Sequence, residues 1–130
     1  MPEADHAIIG LSPIVMVQDI GRTKAFYADV LGFELLIDNK TASYAMMRRG
    51  PAMLAFIQNT SEEARKATSE QTAAQLWVTG IDALWAELAP RLAGRTDCSA
   101  KPPHDRDYGV REIHLKDPDG FLIFITQDQD

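Results

Sequence analysis

Glu112 and His114 stand two residues apart in the run Tyr108-Gly109-Val110-Arg111-Glu112-Ile113-His114-Leu115-Lys116. Alternate residues of a β-strand share a face, so this spacing sets a carboxylate beside an imidazole. Such a pair can work as acid and base, or the carboxylate can hold a cationic group of a ligand. It can equally be two polar residues at a cavity rim, bonded to each other or to water. A metal at Glu112 and His114 would need a third ligand; His104 is a candidate, but no spacing fixes it. Arg48-Arg49 reads as the decoration of a hairpin turn, with the capacity to bind a carboxylate. Cys98 has no histidine near it in sequence to depress its pKa and reads as inert. His6 falls in an N-terminal arm and has no assigned role.

Two strands must position the Glu-His pair. Asp117-Pro118-Asp119-Gly120 is a turn sequence: proline presets φ and glycine supplies the positive φ that follows. A three-residue loop with a glycine bulge pairs Asp117 with Phe121, Leu115 with Ile123, His114 with Phe124, Ile113 with Ile125 and Glu112 with Thr126. Ile113, Leu115, Ile123 and Ile125 then form an apolar face suited to lie under helices. Glu112, His114, Lys116, Leu122, Phe124 and Thr126 form a mixed face where a ligand can sit. A two-residue loop would send Glu112 and His114 toward the helices, and the clean apolar row argues against that register. His104, Asp105, Asp107 and Tyr108 lie on a loop entering the hairpin, a candidate lid.

The rest of the chain gives strand and helix signals in order. Residues 1–10 read as a loose arm. Ser12 to Gln18 alternates, with Val15 and Val17 on one face and Ile14 and Met16 on the other. Asp19 can cap a helix running to about Leu31, with Phe26, Tyr27, Val30 and Leu31 at helical spacing and Gly32 ending it. Strands follow at Phe33 to Ile37, Ser43 to Met47 and Met53 to Ile57. Residues 59–72 read as a linker with one short helix at Glu62 to Ala67. The pattern then restarts: a strand from Ala73 to Val78 with Gln75 and Trp77 on one face, and a helix from Ile81 to Leu92 that Pro90 should shorten. Its buried stripe is Leu84, Trp85, Leu88 and Leu92. Arg95 to Ser99 reads as a short strand and Lys101 to Asp107 as a loop. The order strand–helix–three strands occurs twice, in modules 11–58 and 73–127 of a single domain spanning 1–130. Val17-Gln18-Asp19-Ile20 and Val78-Thr79-Gly80-Ile81 mark the two strand-to-helix junctions.

Bulk properties narrow the function classes. A chain of 130 residues suffices for one domain with a real core. A net charge of −6 disfavours nucleic acid and anionic membranes as partners. One cysteine excludes a disulfide framework and a zinc–cysteine cluster. No apolar run reaches membrane length and residues 1–10 are not a signal peptide, so a cytoplasmic protein is expected.

The run Phe26-Tyr27-Ala28-Asp29-Val30-Leu31-Gly32-Phe33, together with Arg48-Arg49-Gly50, Trp77-Val78-Thr79-Gly80-Ile81 and Asp117-Pro118-Asp119-Gly120, resembles the vicinal oxygen chelate superfamily. That superfamily holds glyoxalase I, extradiol dioxygenases and bleomycin-resistance proteins. Tyr108-Gly109-Val110-Arg111-Glu112 before the turn is most similar to the bleomycin-resistance-like group. The resemblance implies an α+β fold: two βαβββ modules forming a curved mixed sheet around a cavity. It also implies a homodimer with pockets at or near the interface. The metal slots of its enzymes fall, by the same resemblance, on Ser12, Ala73, Phe124 and a position near Leu54 or Ala55. None is a histidine or carboxylate, so no metal and no cofactor are expected.

Met16, Trp77 and Phe124 have cavity-facing parity, as does either Tyr44 with Met46 or Ala45 with Met47. With Tyr108, Glu112 and His114 they form the candidate ligand-binding set. Aromatic walls with few polar groups suit a small-molecule pocket. The expected function is a metal-free binding protein that sequesters a hydrophobic or cationic antibiotic. The alternative is a lyase, isomerase or dioxygenase-like enzyme that uses Glu112 and His114 or a non-inherited metal site.

Overall fold

The computed structural model describes residues 5–129; the first four residues of the expected arm lie outside them. The first half runs β1 (Ile14–Val17), α1 (Ile20–Asp29), β2 (Glu34–Asn39), β3 (Tyr44–Arg49) and β4 (Ala52–Gln58). After α2 (Glu62–Gln71) the second half runs β5 (Ala73–Trp77), α3 (Ile81–Leu92), β6 (Ser99–Asp105), β7 (Val110–Lys116) and β8 (Leu122–Asp128). Each half makes a four-stranded mixed sheet, in the orders β1-β4-β3-β2 and β5-β8-β7-β6. In both, the first strand lies parallel to the last, which requires the intervening helix to cross one face. The fold is thus α+β with the βαβββ unit used twice, arranged as two separate four-stranded sheets.

Local chemistry explains the first helix. The Asp19 carboxylate accepts the Arg22 N–H at 3.1 Å and caps α1. The helix ends two residues before Leu31, and Gly32 takes the left-handed conformation at φ 71°. Phe26, Tyr27, Val30 and Leu31 are buried as the helical spacing predicts. They pack with Val15, Val17, Met47 and Phe56 from the sheet beneath. In the second half the apolar row Ile113, Leu115, Ile123 and Ile125 is buried with Leu88 of α3.

Three segments depart from expectation. The helix in the linker extends through Gln71 instead of stopping at Ala67, although none of its residues is buried. Ser61 caps it by accepting the Ala64 N–H at 3.2 Å, and Glu62 and Glu63 complement its dipole. Caps and charge hold this helix, so hydrophobic periodicity could not reveal its length. Pro90 does not shorten α3, which continues to Leu92. A proline in the last turn removes one backbone bond, and burial of Leu88 with packing of Trp85 and Leu92 outweighs it.

The third departure concerns the second module's edge. The expected strand Arg95–Ser99 and loop Lys101–Asp107 are replaced by β6, which begins at Ser99 and carries Lys101, His104 and Asp105 in its ladder. Pro102 and Pro103 fall where the register shifts between Lys101 and His104. Prolines cannot donate to a ladder, but an edge strand with a bulge tolerates them. His104 and Asp105 therefore belong to a strand and not to a lid loop; the turn is confined to Asp107, Tyr108 and their neighbours.

Candidate functional site

The site is built on the β7–β8 hairpin, whose register is the predicted one. Glu112 pairs with Thr126, His114 with Phe124, and Lys116 with Leu122. Across β8 lie Trp77, Gln75 and Ala73 of β5; across β7 lie His104, Lys101 and Ser99 of β6. Directly paired residues share a face, so these twelve positions make one surface. The opposite surface is the buried apolar row.

Glu112 is only 1% exposed, and its carboxylate is saturated by neighbours. Oε1 accepts the Tyr108 hydroxyl at 2.8 Å and lies 3.0 Å from His114 Nε2. Oε2 accepts the Thr126 hydroxyl at 2.9 Å, and Thr126 in turn accepts from the Gln75 amide at 3.3 Å. The Arg106 guanidinium lies 3.7 Å from Oε1 and over the Tyr108 ring at 5.1 Å. Burial pushes the Glu112 carboxyl upward, but the hydrogen bonds from His114, Tyr108 and Thr126 outweigh it and hold the group below the ordinary carboxylate range. Glu112 is therefore an internal anion that orients its neighbours.

His114 is fixed by the same contacts. Its Nε2 lies 3.0 Å from Glu112 Oε1, an acceptor, and 3.2 Å from the Arg106 guanidinium, a donor. The ring meets His104 and Phe124 edge-to-face, at 4.7 and 4.9 Å between centroids. His104 directs Nδ1 to the Pro102 carbonyl at 2.8 Å, and its Nε2 is buried with no hydrogen-bond partner.

The remaining predicted residues are placed as follows. Trp77 and Tyr108 are 61% and 56% exposed, which presents large aromatic surfaces to solvent beside the Glu112 network. Phe124 is half-buried, with its ring against that of His114. Of the two alternatives in β3, Ala45 and Met47 are buried in the core, so Tyr44 and Met46 take the opposite face. They pair with Ile57 and Ala55 of β4, which in turn pair with Met16 and Ile14 of β1. The first module thus contributes an almost wholly apolar surface and the second a polar, aromatic one. Arg106 was not foreseen, because its reach to Glu112 is set by the turn. Lys101 was assigned to a loop and enters the face only through the irregular β6.

Arg48 and Arg49 are already paired within the chain. Arg48 holds Glu34 at 2.8 Å; Arg49 holds Glu87 at 2.7 Å and donates to the Leu31 carbonyl at 2.9 Å. Burial pushes the Cys98 thiol upward, which suppresses its nucleophilic form. A cavity of about 470 Å³ lies at the seam between the modules, lined by Leu31, Phe33, Leu76, Leu84 and the Arg49–Glu87 pair. It contains neither Glu112 nor His114. A cleft of about 810 Å³ opens between α2 and the start of β8 and includes Phe124, Leu122 and Lys116.

The metal slots implied by resemblance do not fit a metal. Phe124 and Ala73 present only carbon atoms, and Phe124 is packed against the His114 ring. Among the described residues, no cluster of three or more histidine, cysteine or carboxylate side chains is placed to hold an ion.

Fold and site together define a member of a large superfamily of paired βαβββ modules. The profile of the Glyoxalase/Bleomycin resistance protein/Dioxygenase superfamily matches residues 5–125, and the chain belongs to that superfamily. No curated protein matches. Among solved structures, a bleomycin-binding protein from bleomycin-producing Streptomyces verticillus, complexed with copper(II)-bleomycin, is 25% identical. It superposes with a TM-score of 0.75 over 94% of this chain and 98% of its own. A superfamily member from Sphaerobacter thermophilus DSM 20745 is also 25% identical, with a TM-score of 0.73 and the same coverage of 94% and 98%. TnmS3, an antibiotic-binding protein from Streptomyces sp. CB03234, shares the fold at 20% identity and a TM-score of 0.71, over 97% of this chain and 99% of its own.

Proposed function

We propose that this chain is a metal-free binding protein that sequesters a small hydrophobic molecule, such as an antibiotic, without transforming it. One observation carries the reading: Glu112 is buried with both carboxylate oxygens engaged, while Trp77 and Tyr108 stand exposed on the same face. A saturated internal carboxylate is a poor proton shuttle, and exposed aromatic surface is what an apolar ligand covers. Of the hydrophobic and cationic ligands anticipated from sequence, the hydrophobic class is favoured, because the one anion at the centre of this face is held by its own neighbours. The superfamily membership and the antibiotic-binding proteins among its structural relatives support the reading.

The proposal includes a homodimer in the cytoplasm, with the candidate ligand-binding set at or near the interface. Ile8 and Ile9 are both 96% exposed and Leu11 is 88% exposed, an apolar segment that a second copy would cover. No helix among the described residues is long and apolar enough to cross a membrane. Tryptophan fluorescence titration with bleomycin, a hydrophobic polyketide antibiotic and a cationic aryl dye tests the function. Saturable quenching by the hydrophobic compound is expected; no saturable response from any of the three overturns the reading.

A second reading is favoured by the Glu112–His114 contact at 3.0 Å, which resembles a base oriented by a carboxylate. On that reading the chain is a lyase, isomerase or dioxygenase-like enzyme with His114 as its base or as a ligand to a non-inherited metal. Elemental analysis of protein purified without chelator separates the two. Stoichiometric metal that is lost in His114→Ala would replace the first reading with the second.

A further inference from the structure

We infer that the ligand of this site is an aryl anion, a planar apolar body bearing a carboxylate-, sulfonate- or phosphate-class group. This rests on the binding reading above and adds a charge to its ligand. The observation is a local reversal of sign. The chain as a whole carries −6, yet the surface formed by β5, β8, β7 and β6 carries Lys101 and Lys116 with no carboxylate opposite either. Glu112, the acidic side chain on that surface, is buried, and Arg106 lies 3.7 Å from it, so its charge is matched internally.

The lysines bracket the aromatic groups. Lys101 pairs across β6–β7 with His114, which pairs across β7–β8 with Phe124. Lys116 sits two residues along β7 on the same side, paired with Ser99 and Leu122. Both lysines are exposed and neither has an ion pair among the described residues. The cleft of about 810 Å³ reaches Lys116 and Phe124 from the other side and adds Lys66. Its two acids are Glu70 and Asp119, and Asp119 is already held by Arg22 at 3.2 Å. Beyond β6, Asp105 is held by Arg111 at 2.9 Å on the opposite side of the strand, while Glu70 in the cleft and Asp107 in the turn have no ion pair among the described residues.

One unpartnered ring nitrogen also lies on this face. His104 has a buried Nε2 with no hydrogen-bond partner, and its ring abuts His114. Nδ1–H is donated to the Pro102 carbonyl, so Nε2 of the neutral ring is an acceptor that a ligand hydroxyl or amide N–H would satisfy. The aryl body lies against Phe124 and the exposed Trp77, and the anion lies toward Lys101 and Lys116. Two exposed lysines beside the aromatic groups suffice for about a tenfold preference over a neutral ligand of the same shape.

The test uses the intact chain and three fluorescent aryl probes. Anilinonaphthalenesulfonate is the anion, phenylnaphthylamine is the same ring system without the sulfonate, and aminoacridine is a cation. The sulfonate is expected to bind about tenfold tighter than its neutral counterpart, with the margin shrinking as salt rises from about 0.05 M to 0.5 M. In Lys101→Gln/Lys116→Gln, both positions being exposed, the margin should fall to about twofold while the affinity of phenylnaphthylamine is unchanged. Equal or tighter binding of the neutral or cationic probe by the native chain overturns the anion and leaves the binding function standing. So does a margin that the double substitution leaves intact. Failure of all three probes to bind saturably removes the binding function itself.

Discussion

The Tyr27 hydroxyl donates a 2.7 Å hydrogen bond to Oδ2 of Asp117, ninety residues further along the chain and fully buried. Tyr27 belongs to the helix of the first module and Asp117 to the hairpin turn of the second. Oδ1 of the same carboxylate accepts the backbone N–H groups of Asp119 and Phe121 at 2.9 and 3.0 Å, which shapes the turn. Asp119 then accepts from the Gln18 backbone at 2.9 Å. One carboxylate thus sets the turn that orients β7 and β8 and also ties that turn to the other module.

Burial raises Asp117 from 3.8 to about 6, against the pull of Tyr27 and the backbone donors. Between those values the folded chain keeps a proton that the unfolded chain releases. Stability therefore falls as pH rises through that window and is level above it. Asp117→Asn cannot titrate. Its stability relative to the native chain should improve from about pH 4 to about pH 7 by on the order of 2 kcal/mol. Urea unfolding at both pH values measures the difference; a change in the native chain's favour would contradict it.

Tyr27→Phe removes the donor that favours the ionised carboxylate. Its destabilisation should be about 1–3 kcal/mol at neutral pH and smaller at about pH 4, where Asp117 is protonated. A double-mutant cycle with Asp117→Asn reads the coupling; additivity of the two substitutions would show that the contact carries no energy.

Glu112 behaves with the opposite sign. Burial raises it, but the stronger hydrogen-bond contribution from His114, Tyr108 and Thr126 lowers it overall. Its stabilisation is present above the unfolded value of 4.5 and lost as pH falls through the lower folded value. Glu112→Gln should cost about 1–3 kcal/mol at neutral pH, with the gap narrowing in acid. Nitrogen chemical shifts of His114 should report one dominant tautomer in the native chain and a mixture in the variant.

Trp77 is largely exposed, so Trp77→Ala should change stability by no more than about 0.5 kcal/mol. It should weaken binding of a hydrophobic aryl ligand by about tenfold, measured calorimetrically because the reporter fluorophore is gone. A variant that binds as well as the native chain would remove Trp77 from the ligand-binding set.

Much of the fold was legible because its signals are local. Alternation and the Asp-Pro-Asp-Gly turn determine the β7–β8 register, since a one-residue slip would bury Glu112 and His114 in the apolar layer. The Asp19 cap, Gly32 and the spacing of Phe26, Tyr27, Val30 and Leu31 likewise determine α1 without reference to the rest of the chain. By the same parity, Met16, Trp77 and Phe124 could be assigned to the surface opposite the buried row.

Tertiary structure decided what depends on partners distant in sequence. Pro102 and Pro103 read as loop residues until pairing with β7 makes their segment an edge strand, which needs no donor from them on its free side. The choice of Tyr44 and Met46 over Ala45 and Met47 depended on which side of β3 the first helix covers. The character of Glu112 changed most: alternation placed it beside His114, but only the approach of Tyr108, Thr126 and Arg106 makes it a saturated internal anion. Periodicity assigns a side chain to a face; whether its charge is free depends on which groups the fold brings within hydrogen-bonding distance.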